Sequence, residues 1–305
     1  MGTLEITLFG PLQLTRDGES LPVGAGSRVR DLLSYLVLYR HTPHAREHIA
    51  GLFWGDRDDH HARHCLNTAL WRLQRLLQPR DSHAAPYLLA TTHSIGFNPA
   101  SDAHIDVAEF EARIALADHL GADAADQQAA LYRHAIDVYR ADLLPDCYED
   151  WCLAERQRLQ HLYLRALGQL MTYYITREQC DDAIAIGLRL LECDPLREEI
   201  HRDLITLYLT AGRPADALRQ YRACASILER ELGIAPMPET RALLPRILAD
   251  HAPPAQRIAG NNDACTLDDA LRQLRIASTA LEAARAELLR ATQLVLRALE
   301  QPPRS

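Results

Sequence analysis

The dipeptides Asp182-Ala183 and Asp216-Ala217 stand 34 residues apart, and each opens a stretch with apolar groups at similar helical spacing. Between them Leu204, Leu207, Tyr208 and Leu209 precede the breaker Ala211-Gly212-Arg213-Pro214. A fixed period of this length belongs to helical pairs that cannot bury an apolar face alone and must stack on their neighbours. This constrains the chain more than any other feature, because it commits the sequence after Ile105 to layered helices. Apolar stripes at Val107 to Leu120, Gln127 to Tyr139 and Trp151 to Tyr174 supply further layers, and the alternating patterns of strands are confined to the residues before them.

The period and the breaker are the grammar of tetratricopeptide repeats, whose concave side commonly takes a protein or small-molecule partner. Residues 3–23 follow a different rule. Leu4, Ile6 and Leu8, then Leu12 and Leu14, alternate with polar groups, a turn falls at Asp17-Gly18, and Leu21 and Val23 follow, which predicts a small antiparallel sheet. Ser27 can cap a helix running to Tyr39, and a second helix begins near Ala45 and carries Ile49, Leu52 and Phe53. Trp54-Gly55-Asp56 makes a turn, Asp58 or Asp59 can cap a third helix, and residues 87–98 read as two short strands about a tip. Sheet, three helices and hairpin, with a short link between the second and third helices, is the order of a winged helix-turn-helix.

The third helix, Ala62 to Leu77, carries the candidate chemistry. Ala62, Leu66, Ala69, Leu70, Leu73 and Leu77 recur every three or four residues and define a buried face. The opposite face holds Arg63, His64, Asn67, Thr68, Trp71 and Arg75, with no acidic residue between Arg63 and Arg75. Arg and Asn present paired hydrogen-bonding groups that match guanine and adenine edges in the major groove. The tip residues Thr92 and His93 are the candidate wing contacts. The alternative for the helix is a solvated amphipathic surface with a few arginines.

Charge qualifies this reading. The 305 residues carry a formal net charge of −8, and all 33 basic residues are Arg, so any nucleic-acid contact must come from a local patch. Residues 1–105 hold ten Arg against ten acidic groups, together with nine of the 14 His, so the DNA-binding part is neutral unless its histidines protonate. Seven scattered cysteines form no CxxC pair, which argues against a disulfide framework or zinc site and fits a reducing cytoplasm. His60, His61, His64 and Cys65 put two imidazoles on one helical face, but no second ligand pair lies nearby, so capping and solvation are the preferred roles and no metal or other cofactor is expected. A chain without Lys has no phosphate-binding GxxxxGK loop, and neither GxSxG nor HExxH occurs, so no enzyme is expected. No run of about twenty apolar residues exists for a membrane span.

Pro253, Pro254, Gly260 and Asn261-Asn262 mark residues 251–266 as a linker. Beyond it Leu267, Leu274, Leu281, Leu288 and Val295 recur every seven residues, with Ala270, Ala277, Ala284, Ala291 and Ala298 each three further on. That pattern is the seam of a close-packed helix pair, expected to form a homodimer, with packing back on the repeats as the alternative. The expected organisation is therefore mainly α: an α+β winged helix at 1–104, a repeat domain at 105–250, a linker at 251–266 and a coiled-coil helix at 267–300.

With these residues in hand the chain resembles the actinomycete antibiotic regulatory proteins, which join an OmpR-like winged helix to a bacterial transcriptional activator domain. The resemblance rests on AREHIAGLFWGDRDDHHARHCLNTALWRLQRLL from Ala45 to Leu77, EDWCLAERQRL from Glu149, DPLREEIHRDLITLYLTAGRPADALRQYRAC from Asp194 and ERELGIAPMPETRALLPRIL from Glu229, and spans roughly Leu4 to Leu248. It implies a transcription factor that binds direct repeats near promoters and recruits RNA polymerase, with Arg63, Asn67, Trp71, Arg72 and Arg75 on its recognition helix. Two departures stand out: Asn67 lies where the family more often shows Arg, and the tip Thr91-Thr92-His93-Ser94 lacks a basic residue. The competing reading is an interaction or ligand-sensing scaffold, built on the repeats, whose winged helix no longer holds DNA.

Overall fold

The computed structural model describes residues 3–22, 27–78 and 85–251. The rest of the linker and the Leu/Ala heptad from Leu267 to Val295, with its expected dimer seam, lie outside the described residues.

Strands β1 (Leu4–Thr7), β2 (Gln13–Arg16) and β3 (Glu19–Ser20) form the predicted N-terminal sheet. Asp17 and Gly18 both adopt positive φ, 53° and 81°, which is the turn that matches the twist of a tight hairpin and which Gly takes without strain. Helix α1 (Ser27–Leu38) follows, then β4 (His44–Ala45), α2 (Arg46–Trp54) and α3 (Asp59–Leu77). The hairpin of β5 (Leu88–Ala90) and β6 (Ser94–Phe97) is the wing, and β4 joins it in a second sheet of order β4-β6-β5. The alternation pattern missed β4 and β7 (His104–Ile105), each two residues long and too short to show a period. Strand β7 pairs parallel with β1 and completes the first sheet in the order β3-β2-β1-β7.

The remaining described helices are α4 (Asp106–His119), α5 (Ala125–Val138), α6 (Asp150–Thr176), α7 (Cys180–Cys193), α8 (Glu198–Thr210), α9 (Pro214–Leu232), α10 (Pro238–Arg241) and α11 (Leu243–His251). Successive helices from α4 to α9 pack on one another, as stacked pairs require. Ala183 and Ala217, the matched residues of the 34-residue period, are both fully buried in α7 and α9. Gly187 shows how closely the layers approach: a Cβ there would lie 2.8 Å from Leu204 of α8 and 3.1 Å from Met171 of α6.

The core runs without a break across residue 105. Phe9, just beyond β1, meets Phe110 of α4 edge-on at 5.3 Å and Tyr139 at 4.6 Å, and Tyr139 stacks on Tyr163 of α6 at 4.3 Å. A second bridge forms where Trp151, at the start of α6, packs edge-on against Tyr35 of α1 and Phe53 of α2. Asp106 ties the two parts electrostatically, its carboxylate accepting the backbone N–H groups of Leu8 (2.8 Å), Phe9 (2.9 Å) and Val107 (2.7 Å). Arg156 closes the α5–α6 connection by donating to the carbonyls of Leu143 (2.7 Å), Leu144 (2.5 Å) and Cys147 (2.9 Å), while Leu144 N–H bonds back to Leu8. Asp106 and Arg156 thus help to hold the repeats against the winged helix.

Candidate nucleic-acid interface

Helix α3 begins because Asp58, in extended conformation, accepts the His61 N–H at 3.0 Å and frees one helix-end donor from solvent. Its side chain also meets His61 Nδ1 at 2.5 Å, and these hydrogen bonds hold the Asp58 carboxyl below its usual range. Six residues anticipated as the inner face, Ala62, Leu66, Ala69, Leu70, Leu73 and Leu77, are buried. Burying this stripe against α1 and α2 forces the opposite face outward, and Arg63, His64, Asn67, Trp71, Arg72 and Arg75 are all exposed there. Thr68 is half-buried at the edge, and its hydroxyl donates to the His64 carbonyl at 3.0 Å, a bond internal to the helix.

The outer face is not a row of free cations. Arg63 Nη2 lies 2.8 Å from Glu47 Oε1 on α2, so part of its charge is compensated. Arg75 stacks over the Trp71 ring at 5.3 Å, and that indole is 57% exposed. Among the described residues neither Arg72 nor Arg75 has a carboxylate within ion-pair distance. His60 and His64 share a helical face, but among the described residues no group of three or more His, Cys, Asp or Glu is arranged to hold a metal ion.

Thr92 and His93 lie exposed at the wing tip, whose turn is built by Thr91: its hydroxyl accepts the N–H groups of His93 (3.2 Å) and Ser94 (3.0 Å). The residue that joins tip and helix is Arg46, which the sequence did not single out. Its N–H bonds to the His93 carbonyl at 3.0 Å, its Nη1 donates to the Thr91 carbonyl at 3.2 Å, and its Nη2 donates to Oδ1 of Asn67. The only local signal is its position at the start of α2. Asn67 lies 21 positions away, and only the crossing of α2 and α3 brings the two together.

The repeats offer a second surface. Helices α6 and α8 line a cleft of about 590 Å³ with His161, Arg165, Gln169, Thr172 and Asp203 at its polar rim. A further cleft of about 500 Å³ shares Ile175 and Asp203 with it and adds Glu178. Burial pushes the Asp203 carboxyl above its ordinary value.

Comparison with known proteins agrees with this architecture. Residues 105–248 match the family model described as bacterial transcriptional activator domain. The regulatory protein AfsR of Streptomyces coelicolor is 26% identical over 249 residues, covering 81% of this chain and 24% of AfsR. The transcriptional regulatory protein EmbR of Mycobacterium tuberculosis is 26% identical over 275 residues, covering 87% of this chain and 68% of EmbR. The solved structure described as Mycobacterium tuberculosis EmbR in complex with low affinity phosphopeptide superposes with a TM-score of 0.65 at 26% identity, over 83% of this chain and 66% of that one. The chain thus spans about a quarter of the length of AfsR.

Proposed function

We propose that this chain, a regulator of the antibiotic regulatory protein type with a bacterial transcriptional activator domain, is a cytoplasmic DNA-binding transcriptional activator that reads promoter-proximal repeats through α3 and contacts RNA polymerase or other partners through its helical repeats. The observation that carries the reading is the outer face of α3, where Trp71, Arg72 and Arg75 are exposed together on the helix whose Asn67 is joined through Arg46 to the wing tip. A buried inner stripe and a rigid wing hold that face at fixed register, which major-groove reading requires. Arg72 and Arg75 supply phosphate or guanine contacts, Asn67 a base contact, and Trp71 an apolar platform. A neutral winged helix loses part of the attraction to phosphate that dominates most DNA binding, so the reading includes a homodimer through the 267–300 heptads, which raises the effective concentration at adjacent half-sites.

The test is a mobility shift of the full chain on its own upstream region, repeated with Arg72→Ala, Arg75→Ala and a chain lacking residues 267–305. Both Arg variants weaken the shift, and the truncated chain binds more weakly and shows monomer mass in light scattering. A truncated chain of unchanged mass would remove the dimer.

The Arg63–Glu47 pair and the polar wing favour a second reading, an interaction or ligand-sensing scaffold with weak or lost DNA binding. EmbR's phosphopeptide complex and the clefts between α6 and α8 support a protein partner or effector on the repeats. Absence of any wild-type shift at low salt decides for the scaffold.

A further inference from the structure

Arg46 changes what Asn67 can read. A guanidinium has five N–H donors and no acceptor, so the Asn67 atom that it meets must be the carbonyl oxygen. The usual ambiguity between oxygen and nitrogen in an asparagine amide is therefore resolved by chemistry. Arg46 is itself fixed from two sides, by the Thr91 carbonyl at 3.2 Å and by its own N–H on the His93 carbonyl at 3.0 Å. It is half-buried, and among the described residues it makes no ion pair that would draw it elsewhere.

Adenine is read by asparagine through two bonds at once: Nδ2 donates to N7, and Oδ1 accepts from the N6 amino group. Here Oδ1 already accepts from Arg46. Its second lone pair lies beside a positive charge that repels the amino hydrogens of adenine. What Asn67 still offers outward is the Nδ2–H pair, flanked by the N–H groups of Arg46, and this surface is made of donors. Guanine alone among the bases places two acceptors, O6 and N7, side by side in the major groove.

We propose that Arg46 is a specificity-determining positioning residue, which by holding Asn67 Oδ1 converts an adenine-reading side chain into a reader of guanine. This rests on the proposed DNA binding by α3. It also accounts for an asparagine standing where the resemblance leads one to expect arginine: the Arg46–Asn67 pair presents the donor surface that an arginine would present alone.

Selection of bound sequences from a random duplex pool tests it with the full-length wild type, Arg46→Met, Asn67→Ala and Asn67→Asp, each checked for native helicity. Asn67→Ala identifies the base pair in question as the one whose preference disappears. Wild type enriches guanine there by about ten-fold over adenine, the range of one good two-bond contact. Arg46→Met, which frees Oδ1, moves that one position toward adenine and leaves the others unchanged, and Asn67→Asp, which pairs with Arg46, loses the guanine preference. Wild-type preference for adenine, retention of guanine in Arg46→Met, or no position altered by Asn67→Ala overturns the proposal while DNA binding stands. A wild type that enriches nothing overturns sequence reading by α3 and the proposal together.

Discussion

Replacing Glu47 by Gln should strengthen DNA binding while slightly weakening the fold. The carboxylate lies 2.8 Å from Arg63, with the two side chains 80% and 59% exposed. Exposed pairs of this kind contribute about 0.2–1 kcal/mol. Glu47 also sits in the first turn of α2, where the helix dipole favours a carboxylate by about 0.3–1 kcal/mol. Folding stability should therefore fall by about 1 kcal/mol, lowering Tm by roughly 2–4 °C. In the proposed DNA complex the sign reverses, because Glu47 holds Arg63 to itself and adds a negative charge to the face proposed to meet phosphates. Released, Arg63 can neutralise one further phosphate, which steepens the slope of log affinity against log salt by about 0.9. Between about 50 and 200 mM salt, that single contact changes relative affinity by a factor of roughly 3.5. Fluorescence anisotropy on a labelled duplex across this range measures both quantities. Unchanged affinity and slope in Glu47→Gln would refute the placement of Arg63 at the phosphates. Weaker binding would mean that Glu47 orients Arg63 for a base instead.

Three more outcomes are expected from the packing. Asp106→Ala strands the Leu8, Phe9 and Val107 N–H groups and should cost about 3 kcal/mol, while Asp106→Asn, which keeps one carbonyl oxygen for Leu8 and Phe9 but sets its amide N–H groups against that of Val107, recovers only part of the loss; thermal melts compare the two. Trp151 packs against Tyr35 and Phe53, yet among the described residues its Nε1 has no hydrogen-bond partner, so Trp151→Phe should cost under about 1.5 kcal/mol in denaturant unfolding against about 3–5 for Trp151→Ala. Equal losses would show that the indole makes a contact which phenylalanine cannot replace. His201 is buried in α8, its Nε2 on the Pro195 carbonyl at 3.1 Å and its Nδ1 2.8 Å from the Gln220 amide. Burial holds its pKa below the ordinary 6.5 despite the Pro195 bond. The unfolded chain then binds the proton first, so stability from neutral His201 is full above about pH 6.5 and declines as pH falls below it. Stability curves at about pH 5 and about pH 7.5 should differ less in His201→Gln than in wild type; equal differences would remove His201 from the account.

Periodicity determined the helices up to α9, though not α10 and α11, the buried stripe of α3 and the 34-residue repeat, because these depend on spacings that recur along the chain. The Asp17-Gly18 hairpin and the Asp58 cap were legible for a related reason, since their chemistry is complete within a few residues. Charge counting anticipated a neutral winged helix, but not where the compensation falls. Strands β4 and β7 were hidden because two residues show no alternation, and they form only when β6 and β1 supply partners. The continuity of core between winged helix and repeats was hidden because Phe9, Asp106 and Trp151 meet partners far away in sequence. At the candidate site the division is sharpest. The sequence determined which side chains of α3 face outward, whereas the crossing of α2 over α3 decided that Glu47 compensates Arg63 and that Arg46 occupies Asn67. An outward face is a property of one helix, but the hydrogen-bonding capacity left on it depends on every element packed alongside.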